Sequence, residues 1–351
     1  MSSRERYGWT PFFEHQVAQI PRDHLRFARI VEEQRGLYRV AGDADGWVEV
    51  SGRFRHEAAS LADFPAVGDW VGVEGGIIHV RLDRRSTVSR AAAGRAVDEQ
   101  VVAANVDVIF LVTALTQDLN PRRLERYLTM VWDAGAVPVV VLNKADLSED
   151  PTAACDAVRA RLPAIDVVAV SALADAGLDA LAPYLRPAQT VALLGSSGVG
   201  KSTLVNRLVG ADLLRVGAIS DEDGKGRHTT TSRQLVELPG GALLIDTPGM
   251  RELQPWGDES VVAAAFDDIS SLAEACRFTD CAHGAEPGCA VRAAVESGRL
   301  DPDRLENFQR LGREAAYEAR KHDKAAAAEH KRRWKQLGQA QKAMYRDRDR
   351  R

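Results

Sequence analysis

The rhythm of apolar and polar positions changes twice along the chain. Between about Leu25 and Leu82 apolar residues come in short runs broken by turn residues, and four runs read as strands: Leu37 to Val40, Trp47 to Val50, Asp69 to Val73 and Ile77 to Val80. Gly75-Gly76 between the last two is a two-residue hairpin signal. Such strands predict a small β-barrel of the OB or SH3-like kind, and periodicity does not choose between them. From Val101 the runs lengthen and alternate with helical periods, which is how a parallel sheet covered on both faces reads. Its strands are Val106 to Thr113, Val137 to Leu142, Val167 to Val170, Val191 to Leu194, Gln234 to Leu238 and Ala242 to Ile245, with helices over Pro121 to Asp133, Leu178 to Leu185 and Lys201 to Val209. Beyond Pro255 the strands stop, and a cysteine-rich loop precedes a helical region from Asp303 onward. The expected division is a leader over 1–24, a barrel over 25–95, an α/β domain over 98–255 and a cysteine-rich, helical domain over 256–351.

Composition narrows this picture. At 351 residues and 45% hydrophobic content the chain carries enough apolar surface for two or three real cores, which excludes a disordered protein. The net charge of −4 conceals a basic tail, since Lys321 to Arg351 holds 11 Lys/Arg against 4 Asp/Glu. Such a block reads as a solvated helix end or as a contact for phosphate backbones. No apolar run approaches the roughly 18 residues that span a bilayer, and Arg4, Glu5 and Arg6 leave no signal-peptide core. A cytoplasmic protein with no membrane association is expected.

The strand ending at Leu194 runs into Gly195-Ser196-Ser197-Gly198-Val199-Gly200-Lys201-Ser202-Thr203, a full G-x-x-x-x-G-K-[ST] match between a strand and a helix. Glycines let backbone N–H groups approach phosphates, and the following helix N-terminus favours anions. Lys201 is the candidate for the β- and γ-phosphates and Ser202 for Mg²⁺. Asp246-Thr-Pro-Gly249 closes a later strand, so Asp246 is placed for the Mg²⁺ shell and Gly249 for the γ-phosphate. Between them lies Gly224-Lys-Gly-Arg-His228-Thr-Thr-Thr231, a polar loop in which Thr229 or Thr230 is a second Mg²⁺ candidate.

Asn143-Lys144-Ala145-Asp146 follows the strand Val137 to Leu142. The Asp146 carboxylate can accept from both N1–H and N2–H of guanine, which adenine does not offer. Asn143 would brace the loop, Lys144 would lie along the ring, and Ser171-Ala172 would close the other side. Further on, Cys276, Cys281, His283 and Cys289 supply three thiolates and an imidazole in one short loop, a set that suits structural, tetrahedral Zn²⁺ over buried free thiols. Cys155 stands apart.

The base motif precedes the phosphate loop, the reverse of the usual order. In this order, and in Asp98-Glu-Gln-Val-Val-Ala-Ala-Asn-Val-Asp107, the chain resembles the circularly permuted, ribosome small-subunit-dependent GTPases of the RsgA or YjeQ family. The resemblance implies an N-terminal OB-fold, a permuted P-loop GTPase domain and a C-terminal zinc domain with the same Cys, Cys, His, Cys spacing. It also implies a monomeric GTP hydrolase that passes between GTP and GDP while serving late assembly of the small ribosomal subunit, with rRNA contacts through the barrel and zinc domain. A nucleotide-gated RNA-binding scaffold and a permuted GTPase of the large subunit are the alternatives. The residue after the second-switch glycine is Met250, which cannot orient water. His228 is the nearest substitute, and the resemblance points to the same G-R-H-T-T stretch; a contact to rRNA or loop packing is its other reading.

Overall fold

The computed structural model describes residues 2–21, 24–34, 36–92, 95–116, 119–162, 165–210, 233–246, 262–263, 265–284 and 286–316. The chain divides into two compact units, Met1–Ala91 with Asp98–Pro255, and Ala92–Val97 with Trp256–Arg351.

In the first unit the barrel strands are β1 (Arg26–Gln34), β2 (Leu37–Gly42), β3 (Gly46–Val50), β4 (Trp70–Glu74) and β5 (Ile77–Arg81). They pair in the order β1-β2-β3-β5-β4, and β1 pairs again with β4, so the barrel closes. With β3 and β5 parallel and the other pairs antiparallel, this is the five-stranded Greek-key barrel of the OB kind. Residues 1–24, read from sequence as a leader, contain α1 (Ser3–Arg6) and α2 (Pro11–Val17), and α3 (Gly52–Glu57) follows β3. Phe13 of α2 is buried with Leu25, Phe27, Trp70 and Leu82, so this segment caps one end of the barrel. β1 carries two charged residues among its core positions, Arg29 and Glu32, and such a mixed run shows no simple alternation.

After a two-stranded ribbon of β6 (Thr87–Ala92) and β7 (Arg95–Ala104), the α/β part supplies β8 (Val108–Ala114), β9 (Val137–Asn143), β10 (Asp166–Ala169), β11 (Thr190–Leu194), β12 (Arg233–Glu237) and β13 (Leu243–Asp246). Their order is β10-β9-β8-β11-β13-β12, parallel except for β12. Every residue of β8 is buried, as a central strand covered on both faces requires. One face packs Ile109, Leu111, Val140 and Leu142 against Leu124 and Leu128 of α4 (Pro121–Asp133) and Val158 of α5 (Pro151–Arg161). The other packs Phe110, Val112 and Val141 against Leu204 and Val205 of α6 (Lys201–Val209). The expected helix over Leu178 to Leu185 is a 3₁₀ helix, Leu178–Tyr184, with Pro183 inside it. Proline lacks the donor an α-helix needs there.

The barrel and the nucleotide fold are not separated by a linker. β12 pairs with β1 at Glu32↔Gln234 and Glu33↔Arg233, making one eleven-stranded sheet, and the Arg233–Glu33 ion pair spans the joint at 3.1 Å. Arg29, about 1% exposed, lies at its centre. Its guanidinium donates to the carbonyls of Gly68, Tyr7 and Asn105 and, at 2.8 Å, to Thr190 Oγ1 at the start of β11. Burial lowers its pKa to about 10, with Asp107 and Asp69 opposing the shift, so it stays charged at neutral pH.

The second unit holds α7 (Asp267–Ala273), the cysteine loop, α8 (Ala290–Glu296) and a helical stretch over 302–316. Phe266, Ile269, Val291 and Ala294 are buried there. Arg304 ties the last helix to Asp268 at 2.6 Å.

Candidate functional site

The C-terminal edge of the parallel strands is where ligands bind in open α/β sheets, because loops and helix N-termini converge there. β11 ends at Leu194 and the chain turns at once through Gly195 into the loop before α6. Gly200, at φ +93°, has no steric alternative: a Cβ there would lie 2.3 Å from Asn143 Nδ2. The Lys201 ammonium folds back to the carbonyls of Gly195 (2.6 Å) and Ser196 (2.5 Å), which sets the curvature of the loop.

Asn143 is buried, and its amide spans two loops. Nδ2 donates to the Val199 carbonyl at 2.9 Å, and Oδ1 accepts the Ala172 N–H at 3.0 Å. One side chain at the end of β9 thus fixes the phosphate loop and the loop after β10 together. Lys144 sits in the left-handed region at φ 60°, an uncommon conformation for a residue with a Cβ. It turns the chain so that Asp146 meets Ser171, whose hydroxyl donates to Oδ1 of the carboxylate and accepts the Ala174 N–H. The loop is held from a second side by Arg207 of α6, which donates from Nε to the Ala172 carbonyl (3.1 Å) and from Nη2 to that of Leu173 (3.2 Å).

The structure therefore brings Asn143, Asp146, Ser171, Ala172 and the Gly195–Ser202 loop to one edge of the sheet. Asp246 ends β13, one strand from β11. His228, Thr229, Thr230 and Gly249 lie outside the described residues, as does the basic tail.

Two arginines at this edge escape the motif reading. Arg207 lies in an ordinary helical run. Arg123, in the first turn of α4, donates from Nη1 to Ser196 Oγ at 2.6 Å. A signal for it does exist in sequence: Asn120-Pro-Arg-Arg123 places two cations at a helix N-terminus, where the macrodipole disfavours positive charge.

In the second unit Cys276, Cys281, His283 and Cys289 bring their ligand atoms within 4.8 Å of one another. A tetrahedral ion about 2.3 Å from sulfur and about 2.0–2.1 Å from nitrogen holds its ligand atoms about 3.5–3.8 Å apart. The edges are 3.9 Å for Cys276–Cys289, 3.7 Å for Cys276–His283 Nδ1 and 3.5 Å for Cys289–His283 Nδ1, so these three donors stand close to where such an ion needs them, with the Cys281 thiol within 4.8 Å of each. Around them Arg292 Nη1 bonds the Gly284 carbonyl, and Gln309 bonds the carbonyls of Ala282 and His283. Burial opposes ionisation of Cys276, but the N–H groups of Val291 and Ala290 lower its pKa below the usual thiol value. The His283 N–H lowers that of Cys281, yet burial and the neighbouring thiols carry it up to about 11. Adjacent thiols resist a second negative charge, which is the arrangement a cation relieves. This cluster holds a metal ion's worth of ligands; Cys155 is buried in the core of the first unit.

The sheet order, the phosphate loop on its central strand and the base loop arriving earlier in the chain define a P-loop GTPase fold in circular permutation. The profile of the family described as RsgA GTPase matches residues 81–256. A protein of Opitutus terrae named Small ribosomal subunit biogenesis GTPase RsgA is 47% identical over 352 residues, covering 96% of each chain. One of the same name from Xanthomonas axonopodis is 45% identical over 328 residues, 90% of this chain and 86% of that one. The chain belongs to the RsgA GTPase family. Among solved structures, YjeQ from Thermotoga maritima superposes with a TM-score of 0.63 at 25% identity, covering 83% of this chain and 99% of that one. YloQ, titled a circularly permuted GTPase, does so at 0.59 and 25%, with 84% and 96% covered.

Proposed function

We propose that the chain is a GTP hydrolase acting in the biogenesis of the small ribosomal subunit. The observation that carries this reading is the Asn143 side chain, which ties a carboxylate-bearing loop suited to guanine to a phosphate loop, in a chain closely similar to proteins named for that activity. Asp146 selects guanine by accepting from its N1–H and N2–H groups, with Asn143, Lys144, Ala145, Ser171 and Ala172 framing the base. The N–H groups of Gly195 to Thr203 surround the phosphates, and Lys201 neutralises them. Ser202 and Asp246, with Thr229 or Thr230, hold Mg²⁺, which polarises the phosphate oxygens when bound. Gly249 meets the γ-phosphate and His228 positions water. The Cys276, Cys281, His283 and Cys289 cluster holds one structural Zn²⁺, because three thiolates and an imidazole select zinc over hard cations.

The boundaries 25–95, 98–255 and 256–351 are the proposed functional divisions, with rRNA contacts through the first and last and GTP loading setting the pose of the last. The protein works as a cytoplasmic monomer without membrane attachment; no helix among the described residues is long and apolar enough to cross one. Co-sedimentation with purified ribosomal subunits and a non-hydrolysable GTP analogue tests the partner. Pelleting with the small subunit is expected, and pelleting with the large subunit alone would assign the chain to the other particle.

A further inference from the structure

We infer that Arg207 is a positioning residue for guanine that acts through the base loop. It fixes the Ala172–Leu173 turn against the phosphate-binding helix, so that Ser171 holds Asp146 in the orientation that accepts both N1–H and N2–H. The inference rests on the reading of this edge as a guanine-nucleotide site and names a residue that neither nucleotide motif contains. Its ground is the pair of bonds from one guanidinium to two consecutive carbonyls, Nε to Ala172 at 3.1 Å and Nη2 to Leu173 at 3.2 Å.

The base loop has little packing of its own. Ser171 and Ala176 exchange backbone bonds of 2.8 and 3.0 Å that close it, and residues 173–177 beyond the buried Ser171 and Ala172 are exposed, Leu173 to 74%. A surface loop with few apolar contacts opens at low cost, so polar anchors decide where it stands. Two anchors come from the end of β9: the Ala172 N–H donates to Asn143 Oδ1, and the Ser171 hydroxyl donates to Asp146. Arg207 adds an anchor from α6, the helix that begins at Lys201 and is itself held by the buried Leu204 and Val205. Helical side chains lean toward the N-terminus, so a residue in the last turn of α6 reaches back toward the ligand edge. A basic residue in a last turn also suits the helix dipole, but the dipole does not require a fork onto two carbonyls of another loop. Asp146 takes its orientation from Ser171, and Ser171 belongs to the turn that Arg207 pins. Loosening the turn therefore costs the second guanine bond first, while the phosphate loop keeps its own tie from Asn143 to Val199.

The test uses the full-length protein and its Arg207→Ala and Arg207→Lys variants, with melting temperature as the folding control. Calorimetry gives affinities for GDP and for inosine diphosphate, which lacks the N2 amino group, and steady-state GTP hydrolysis gives KM and kcat. Arg207→Ala is expected to lose about tenfold in GDP affinity and no more than about threefold for inosine diphosphate, and to raise KM about tenfold with kcat within about twofold of the parent. Arg207→Lys should fall between, because an ammonium lacks the fork that reaches both carbonyls. Equal losses for the two diphosphates, or a lower kcat at unchanged KM, would overturn the inference and leave Arg207 as a stabiliser of α6. Asp146→Asn run in parallel separates the two levels. If it keeps the parent's preference for GDP over inosine diphosphate, the guanine-site reading itself fails; if it loses that preference while Arg207→Ala keeps it, this inference alone fails.

Discussion

Asn143 shows how much of the site rests on single side chains. Its amide makes one bond to each of two loops, and Gly200 exists to let it in. Gly200→Ala should therefore displace Asn143 and weaken GTP binding by about tenfold or more, a loss that calorimetry would read. Asp146→Asn replaces a two-acceptor carboxylate with an amide that offers one acceptor and one donor group. It should weaken GTP and cut discrimination against other bases by about 10²-fold or more. Unchanged affinity with unchanged rejection of ATP would remove Asp146 from the base site. These residues stand out in sequence because such motifs keep fixed residue types at fixed spacing, and the structure brings Asn143, Asp146 and Ser171 together with the loop before α6. Arg29 and Arg207 do not stand out, since their value lies in partners far along the chain: Arg29 meets Thr190 and Arg207 meets Leu173.

At the scale of elements, the buried parallel strands were readable because both faces are covered and the runs are continuous. The barrel's first strand was harder, since β1 mixes Arg29 and Glu32 into its apolar positions. Helix α5 was also missed; its alanine-rich sequence, Pro151 to Arg161, carries few large apolar side chains to mark a buried face. The cysteine loop was legible by residue type alone, and the structure gathers its four ligand atoms within 4.8 Å, three of them at spacings that suit a tetrahedral ion. For so small an element, metal-binding energy is folding energy. Cys281→Ala or chelation should lower protection of residues 276–289 in hydrogen exchange and impair subunit binding more than GTP binding. Metal analysis of carefully purified protein should find about one zinc per chain; a metal-free chain with an equally protected loop would refute the site. Because thiols must lose protons to bind zinc, affinity should fall as pH falls.

At the scale of the molecule, the barrel and nucleotide fold share a sheet and a buried arginine, a joint that no motif announces. Arg29→Met would take the donor from the carbonyls of Tyr7 and Asn105 and from the Thr190 hydroxyl, while the Gly68 carbonyl keeps its bond from Asn105 Nδ2. At about 1–3 kcal/mol for a buried polar group left unsatisfied, a loss of about 3 kcal/mol or more is expected in denaturant unfolding. If the barrel melted alone while GTP binding persisted, the two parts would be independent. His228 belongs to this scale as well, since its proposed task depends on the ribosome. His228→Ala should cost about 10² or more in subunit-stimulated turnover while GTP affinity and subunit binding hold. Single-turnover GTP hydrolysis by the unmodified chain, with and without saturating purified small subunits, tests the central claim most directly. Intrinsic hydrolysis should be slow and should rise by about 10²-fold or more with small subunits and not with large ones. An unchanged rate with small subunits, under conditions where the chain binds them, would contradict a subunit-stimulated GTP hydrolase and leave a nucleotide-gated scaffold in its place.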